Sequence, residues 1–159
     1  LFGHSLGGTL AFELSKELER RGRHAQTVFI ASTDIEADRV IVRSEDLDDD
    51  AFFARVRDYG AIDENSEILQ YPEFMEIFFK MLRADFTLSE NYEYDGIRTG
   101  AAIAALCGTE DPMETIESMH SWENCTESGA CFREFEGGHF FIEDNIDEVI
   151  GYIREHISF

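Results

Sequence analysis

The pentapeptide Gly3-His4-Ser5-Leu6-Gly7, near the amino end of the 159-residue chain, is the feature that most constrains the fold. Its G-x-S-x-G form is typical of a sharp turn from a strand into a helix, which exposes the serine hydroxyl. Gly3 and Gly7 are expected to leave room in this turn where a Cβ would clash. The pattern predicts Ser5 as a nucleophile and the Leu6 amide as an oxyanion donor, with an ordinary helix-capping serine as the alternative.

Apolar runs alternate with helical patterns along the chain. A helix is predicted over 6–21, ending before Gly22, with leucines every four residues on one face: Leu6, Leu10, Leu14 and Leu18. Short apolar runs predict buried parallel strands at 27–31, 101–107 and 131–135. A closing helix is predicted over 143–157, with a row of apolar residues: Ile146, Val149, Ile150, Ile153 and Ile157. This alternation indicates an α/β fold with a parallel sheet, which binds ligands at the carboxyl ends of its strands.

A helical region interrupts that alternation, with helices predicted over 48–59, ending before Gly60, and over 72–90. The apolar stripe of the second helix is wider than one sheet-packing face requires. It is either simple core or the inner face of a lid insertion, over about 43–88, that lines an acyl pocket. The residues proposed for that pocket are Phe74, Phe78, Met81, Leu82 and Phe140.

A serine hydroxyl needs a base, normally a histidine held by a carboxylate. His139 is the preferred base, because Gly137 and Gly138 follow a predicted strand and present it at the carboxyl edge of the sheet. The other histidines are expected to be structural or solvated: His4, His24, His120 and His156. His4 neighbours the nucleophile, but adjacent residues in a sharp turn point apart, so packing or support is its expected role.

Two aspartates follow predicted strands and compete as the acid. Asp111 comes after the AAIAALC run and before Pro112, which stiffens the loop, whereas Asp34 comes after TVFIA. Glu110 neighbours Asp111 but has a longer and looser reach. The order Ser5, Asp111, His139 is the chain order of the α/β hydrolases.

Composition excludes several other classes of protein. Asp and Glu total 34 against 13 Lys and Arg, a net charge of −21 that should repel nucleic acid and anionic membranes. No run of 18 apolar residues and no signal segment is present, so no membrane partner is expected. The three cysteines, Cys107, Cys125 and Cys131, form no C-x-x-C pair, which argues against a disulfide framework or zinc site and favours a cytoplasmic location.

The chain resembles the type II thioesterases, the free-standing editing enzymes that accompany nonribosomal peptide and polyketide synthases in antibiotic biosynthesis. The matching segments, in the family's order, are GHSLGGTLAFEL, MLRADFTLSENYEY, ALCGTEDP and FEGGHFFI. The resemblance implies an α/β-hydrolase fold, with Ser5 as nucleophile, His139 as base and Asp111 as its orienting acid. It also implies hydrolysis of acyl groups from the phosphopantetheine arm of an acyl or peptidyl carrier protein, without metal or organic cofactor.

The resemblance also shows departures. After TVFIA the family usually has a Ser-Gly-Arg turn, whereas this chain has Ala31-Ser-Thr-Asp34. The family carries roughly ninety further residues before this point, so residues 1–159 are expected to be a thioesterase domain incomplete at its amino end.

Three alternatives stay open: an integrated terminal thioesterase domain, in which Asp34 would be favoured as the acid, a general carboxylesterase, and a non-catalytic hydrolase-like binding module. Since carrier proteins are usually acidic, contact with this acidic chain is expected to rest on apolar groups, on local arginines such as Arg83, or on high salt.

Overall fold

The computed structural model describes residues 1–35, 42–62 and 67–157. The chain divides into two compact units, one formed by Leu1–Glu36 with Tyr94–Phe159, the other by Ala37–Glu93. Residues 63–66 of the predicted lid range lie outside the described residues.

The first unit is built on a parallel sheet of four strands in chain order: β1 (Phe2–His4), β2 (Thr27–Ala31), β3 (Ala102–Gly108) and β4 (Ala130–Phe135). In register, His4 pairs with Ala31, and Ala31 pairs with Leu106. The strand ends that precede the predicted site residues therefore lie at one edge of the sheet. The three predicted apolar strands are confirmed to within one residue.

Both faces of the sheet are covered, which explains why its strands read as continuous apolar runs. Val28 and Ile30 of β2 pack in a cluster with Phe12 of α1 (Leu6–Arg20) and with Trp122. Their neighbours Phe29 and Ala31 pack on the opposite face, in a cluster that also holds Phe141, Val149 and Tyr152. The remaining helices of this unit are α4 (Ile116–Met119), a 3₁₀ helix (His120–Cys125), α5 (Phe141–Asp144) and α6 (Ile146–Glu155).

The apolar rows noted in the sequence of two helices are only partly buried. In α1 the side chains of Leu10 and Leu14 are 54% and 47% exposed, whereas the small residues beside Phe12 face the sheet. Close approach of a helix to a sheet favours small residues over leucines at the contact. The closing helix begins at Ile146 rather than at 143, and it buries Val149 and Tyr152 while Ile146 and Ile150 are exposed.

The second unit is helical, as predicted, and contains α2 (Asp49–Asp58), α3 (Pro72–Glu90) and 3₁₀ helices at Ser44–Asp46 and Glu67–Gln70. Phe52 and Val56 of α2 are fully buried against apolar residues of α3. Glu90 is the polar centre of the unit. Its carboxylate accepts hydrogen bonds from the Ser44 hydroxyl at 2.6 Å and the Ser44 amide at 2.8 Å, and the Arg55 guanidinium lies at 3.2 Å.

Candidate active site

Ser5 lies in the turn between β1 and α1, as the sequence predicts. Its backbone has φ 53° and ψ −127°, a strained conformation for a residue with a side chain. The Ser5 amide donates to the Ala31 carbonyl at 2.8 Å, and the Gly8 amide donates to the Ser5 carbonyl at 2.8 Å. Leu6 is the first residue of α1, where helix amides have no acceptor within the helix.

The prediction that both glycines of the motif make room is half right. A Cβ on Gly3 would lie 1.8 Å from the Gly7 carbonyl oxygen, a distance that no packing can accommodate. A Cβ on Gly7 would meet nothing within 4 Å. A Cβ on Gly8 would meet the Thr33 and Ile30 side chains at 2.7 Å and 2.9 Å, so Gly8, which the sequence argument missed, is the second glycine required by packing.

Asp111 and His139 come together at the carboxyl edge of the sheet, from the loops that follow β3 and β4. The His139 Nδ1 atom lies 3.1 Å from Oδ2 and 3.3 Å from Oδ1 of Asp111. Both residues are only 8% exposed. The Asp111 carboxylate also accepts a hydrogen bond from the Met113 amide at 2.9 Å.

These contacts hold the Asp111 carboxyl in its ionised form. Burial alone would raise its pKa, but the hydrogen bonds from His139 and the Met113 amide, with a smaller contribution from the Ser32 side chain, outweigh burial and lower the pKa below its ordinary value. An ionised carboxylate on Nδ1 fixes the tautomer that leaves Nε2 available to accept a proton.

Gly108, at the end of β3, is a site residue that the sequence argument did not select. A Cβ there would lie 2.3 Å from the carbonyl oxygens of both Gly137 and Gly138. This close approach lets the Glu110 amide donate to the Gly137 carbonyl at 2.8 Å, which joins the loop of Asp111 to that of His139. The sequence feature that could have identified Gly108 is a glycine placed directly after a predicted buried strand and before the acid.

The other histidines lie in different surroundings. His24 is exposed, and His120 is exposed and stacks on Phe132 with ring centroids 3.9 Å apart. The His156 carbonyl accepts from Thr27, the first residue of β2, so His156 lies at the opposite end of that strand from the site. His4, in contrast, touches the site, since its ring centroid is 4.9 Å from that of His139.

The five predicted pocket residues are described within their own units. The Phe140 ring lies against His4 and His139, with centroid distances of 5.3 Å and 5.2 Å. Phe78 and Leu82 pack against the core of the second unit, whereas Phe74 and Met81 are about half exposed.

An open hollow of about 600 Å³ in the second unit is lined by Tyr71, Glu73, Phe74 and Ile77. Phe74 is the predicted pocket residue that lines this hollow.

Arg83, suggested from the sequence as a partner contact, is engaged within the second unit. Its guanidinium donates to the Ser44 and Leu47 carbonyls, lies 2.9 Å from the Asp49 carboxylate, and sits 4.2 Å from the Phe52 ring centroid. This cluster gives Arg83 a structural role that the sequence alone did not reveal.

Within residues 1–35, 42–62 and 67–157, no group of three His, Cys, Asp or Glu side chains is arranged to hold a metal ion. The three cysteines are free thiols, and burial raises the pKa of Cys107 to about 12, which makes its thiol a poor nucleophile. Among the described helices, none combines the length and apolar character needed to cross a membrane.

The parallel sheet, the strained serine turn after β1 and the aspartate–histidine pair after β3 and β4 define an α/β-hydrolase fold. Solved type II thioesterases share it. YbtT, from the yersiniabactin pathway, has a TM-score of 0.86 and 28% identity, covering 98% of this chain and 64% of its own. BorB, from the borrelidin cluster, has a TM-score of 0.80 and 28% identity over 98% of this chain and 61% of its own.

A family model described as the thioesterase domain matches residues 1–157, and the chain belongs to that family. Thioesterase PikA5 of Streptomyces venezuelae is 30% identical over 161 residues, covering 98% of this chain and 56% of that protein. A segment of the phenyloxazoline synthase MbtB of Mycobacterium tuberculosis is 30% identical over 152 residues, covering 94% of this chain and 10% of the synthase. The chain thus spans little more than half the length of PikA5.

Proposed function

We propose that the protein containing this chain is a thioesterase that hydrolyses acyl groups from the phosphopantetheine arm of carrier proteins serving nonribosomal peptide or polyketide synthases. Membership of the thioesterase domain family and the likeness to type II thioesterases support this assignment. The contact between Asp111 and His139, at the sheet edge where Ser5 precedes α1, is the observation that carries it.

The proposed reaction has two steps. The Ser5 Oγ attacks the thioester carbonyl carbon while His139 Nε2 takes the hydroxyl proton, and the Asp111 carboxylate holds Nδ1–H. The Leu6 amide stabilises the oxyanion, and the carbon–sulfur bond then breaks as the thiol leaves with the proton from His139. A water deprotonated by His139 attacks the acyl-Ser5 ester, which releases the free acid and restores the serine.

The second unit supplies the proposed lid. Its α3 carries apolar residues on more than one face, and Phe74 and Met81 remain about half exposed after Phe78 and Leu82 have packed on the core. Surplus apolar surface of this kind suits an acyl chain. Phe74 and Met81, with Phe140 beside the His139 ring, are proposed to contact the acyl group. The protein is proposed to act in the cytoplasm.

The match to a synthase segment supports one alternative, an integrated terminal thioesterase domain. Since the chain also matches a segment of the much longer synthase MbtB, an integrated terminal thioesterase domain would give the same sequence pattern. A free-standing editing enzyme should hydrolyse many acyl groups from separately purified carriers, whereas a terminal domain should prefer the end product of its own synthase. A general carboxylesterase would hydrolyse small oxygen esters at least as well as carrier thioesters.

The test uses protein expressed from its complete coding sequence and a panel of acylated carrier proteins. Wild-type protein is expected to release free acid, and Ser5→Ala to reduce the rate by at least about 10³-fold. Carrier binding without turnover by folded wild-type protein, together with failure of a fluorophosphonate to label Ser5, would instead identify a non-catalytic binding module.

A further inference from the structure

Among the residues that the structure describes, two residues other than glycine have a positive φ, and both lie at the ends of adjacent strands. Ser5 has φ 53° and Ser32 has φ 52°. They directly follow His4 and Ala31, which are paired residues at the ends of β1 and β2. The conformation of Ser5 is explained by the serine turn, but no role in the proposed reaction explains that of Ser32. Backbone strain retained at such a position points to a function for the side chain that it aims.

The Ser32 side chain faces the proposed triad. The residue is 2% exposed, and its Oγ donates to the backbone carbonyl of His139 at 3.2 Å. The Ser32 side chain also helps to lower the pKa of Asp111. Ser32 therefore contacts the backbone of His139 and helps to keep the Asp111 carboxylate ionised.

The His139 carbonyl has a second donor. The Nε2 atom of His4 lies 2.8 Å from it, a hydrogen bond in which the imidazole donates. This geometry requires the Nε2–H form of His4. Burial is the main cause of a lowered pKa at His4, and it keeps the ring neutral. The carbonyl thus receives one hydrogen bond from the residue before the nucleophile and one from the neighbouring strand end.

We infer that His4 and Ser32 are positioning residues, which hold the His139 carbonyl and so fix the His139 ring against Asp111. This inference rests on the proposed function, in which His139 is the base. The need for such anchors follows from the two residues before His139, since Gly137, with φ 117°, and Gly138 lack the side chains that would fix a loop by packing. The anchors couple the serine turn, the end of β2 and the His139 loop through one carbonyl oxygen.

Matched variants separate the hydrogen bonds from packing and strain. At position 4, His4→Phe keeps a ring but removes the donor, whereas His4→Gln keeps an N–H near the position of Nε2. At position 32, Ser32→Ala removes the hydroxyl and keeps the strain, whereas Ser32→Gly removes both. Thermal melts first establish which variants fold.

The expected result is a loss in kcat of about 10- to 100-fold for His4→Phe, with KM nearly unchanged and with rescue by His4→Gln to within about threefold of wild type. Ser32→Ala and Ser32→Gly should lose kcat to a similar extent, although glycine relieves the strain. Because the two donors share an acceptor, the loss in the His4→Phe, Ser32→Gly double variant should differ from the product of the single losses.

A second readout does not depend on turnover. The downfield proton resonance of His139 Nδ1–H reports the hydrogen bond to Asp111, and it is expected to broaden or disappear in His4→Phe and Ser32→Gly but not in His4→Gln. A wild-type protein that shows this resonance yet hydrolyses no thioester would contradict the proposed function, and the resonance in the variants would still decide the positioning role. Folded His4→Phe and Ser32→Gly proteins with wild-type kcat and an unchanged resonance would overturn the inference. Should His4→Phe not fold, Ser32→Ala and Ser32→Gly decide it alone.

Discussion

The imidazole of His139 and the carboxylate of Asp111 meet across two adjacent strand ends, with Nδ1 3.1 Å from Oδ2 and both side chains buried. The contact requires two loops, since Asp111 lies in the loop after β3 and His139 in the loop after β4. The meeting depends on Gly108, whose missing side chain lets the Gly137 and Gly138 carbonyls approach the end of β3. The site is thus a property of the packed sheet edge rather than of the individual motifs.

Asp111→Asn is expected to reduce kcat by about 10³- to 10⁴-fold, because an amide favours the wrong tautomer of His139. Asp34→Asn is the matched control, since Asp34 also follows a strand and is the acid favoured for a terminal domain. It should change kcat by less than about tenfold. Steady-state hydrolysis of one acyl-carrier substrate by both variants checks the prediction, and a larger loss at Asp34 would reassign the acid.

The contribution of Asp111 to stability should depend on pH. Its folded-state pKa is lowered, so the stabilisation is fully present above the unfolded-state pKa of about 4 and is lost as pH falls through the lower folded value. The difference in the free energy of unfolding between wild type and Asp111→Asn should therefore shrink with acidification from pH 7 to below 4. Urea titrations across that range measure it, and a constant difference would show that the ionised carboxylate is not stabilised by folding.

Gly3→Ala is expected to destabilise the fold by at least about 3 kcal/mol, because the new Cβ would collide with backbone that cannot move without opening the turn. Gly7→Ala, four residues later in the same motif, places its Cβ in open space and should stabilise α1 by about 0.5–1 kcal/mol. Urea midpoints of the two variants provide the comparison. Equal midpoints would contradict the turn geometry.

Glu90→Ala should destabilise the second unit by about 3 kcal/mol, because it leaves the largely buried Arg55 guanidinium without its carboxylate partner and removes both acceptors of Ser44. Glu76→Ala is the control, as it breaks an exposed ion pair with Lys80 in the same helix. Its urea midpoint should stay close to that of wild type. Similar losses of stability in the two variants would mean that burial of the Glu90 network makes no extra contribution to the free energy of unfolding.

The sequence predicted the strands, the serine turn and the aspartate and histidine that meet at the sheet edge, because these depend on local patterns: apolar runs, glycine spacing and position after a strand. It failed where tertiary packing decides. The leucines of α1 fall on one face in the sequence pattern, but Thr9 and Phe12 are buried whereas Leu10 and Leu14 are exposed. Gly108 and the support of His139 by His4 and Ser32 arise from contacts between segments distant in sequence, which no local pattern encodes.

The central claim, that Ser5 is acylated by a carrier-bound thioester with His139 and Asp111 as its base and acid, is tested most directly by trapping the intermediate. Complete protein is mixed with acylated carrier, quenched in acid within the first turnover, digested, and analysed by mass spectrometry. The account predicts an ester of the acyl group on the peptide that carries Ser5, absent in Ser5→Ala and strongly reduced in His139→Gln. Hydrolysis that persists in Ser5→Ala, with the acyl group on another residue or on none, would contradict it.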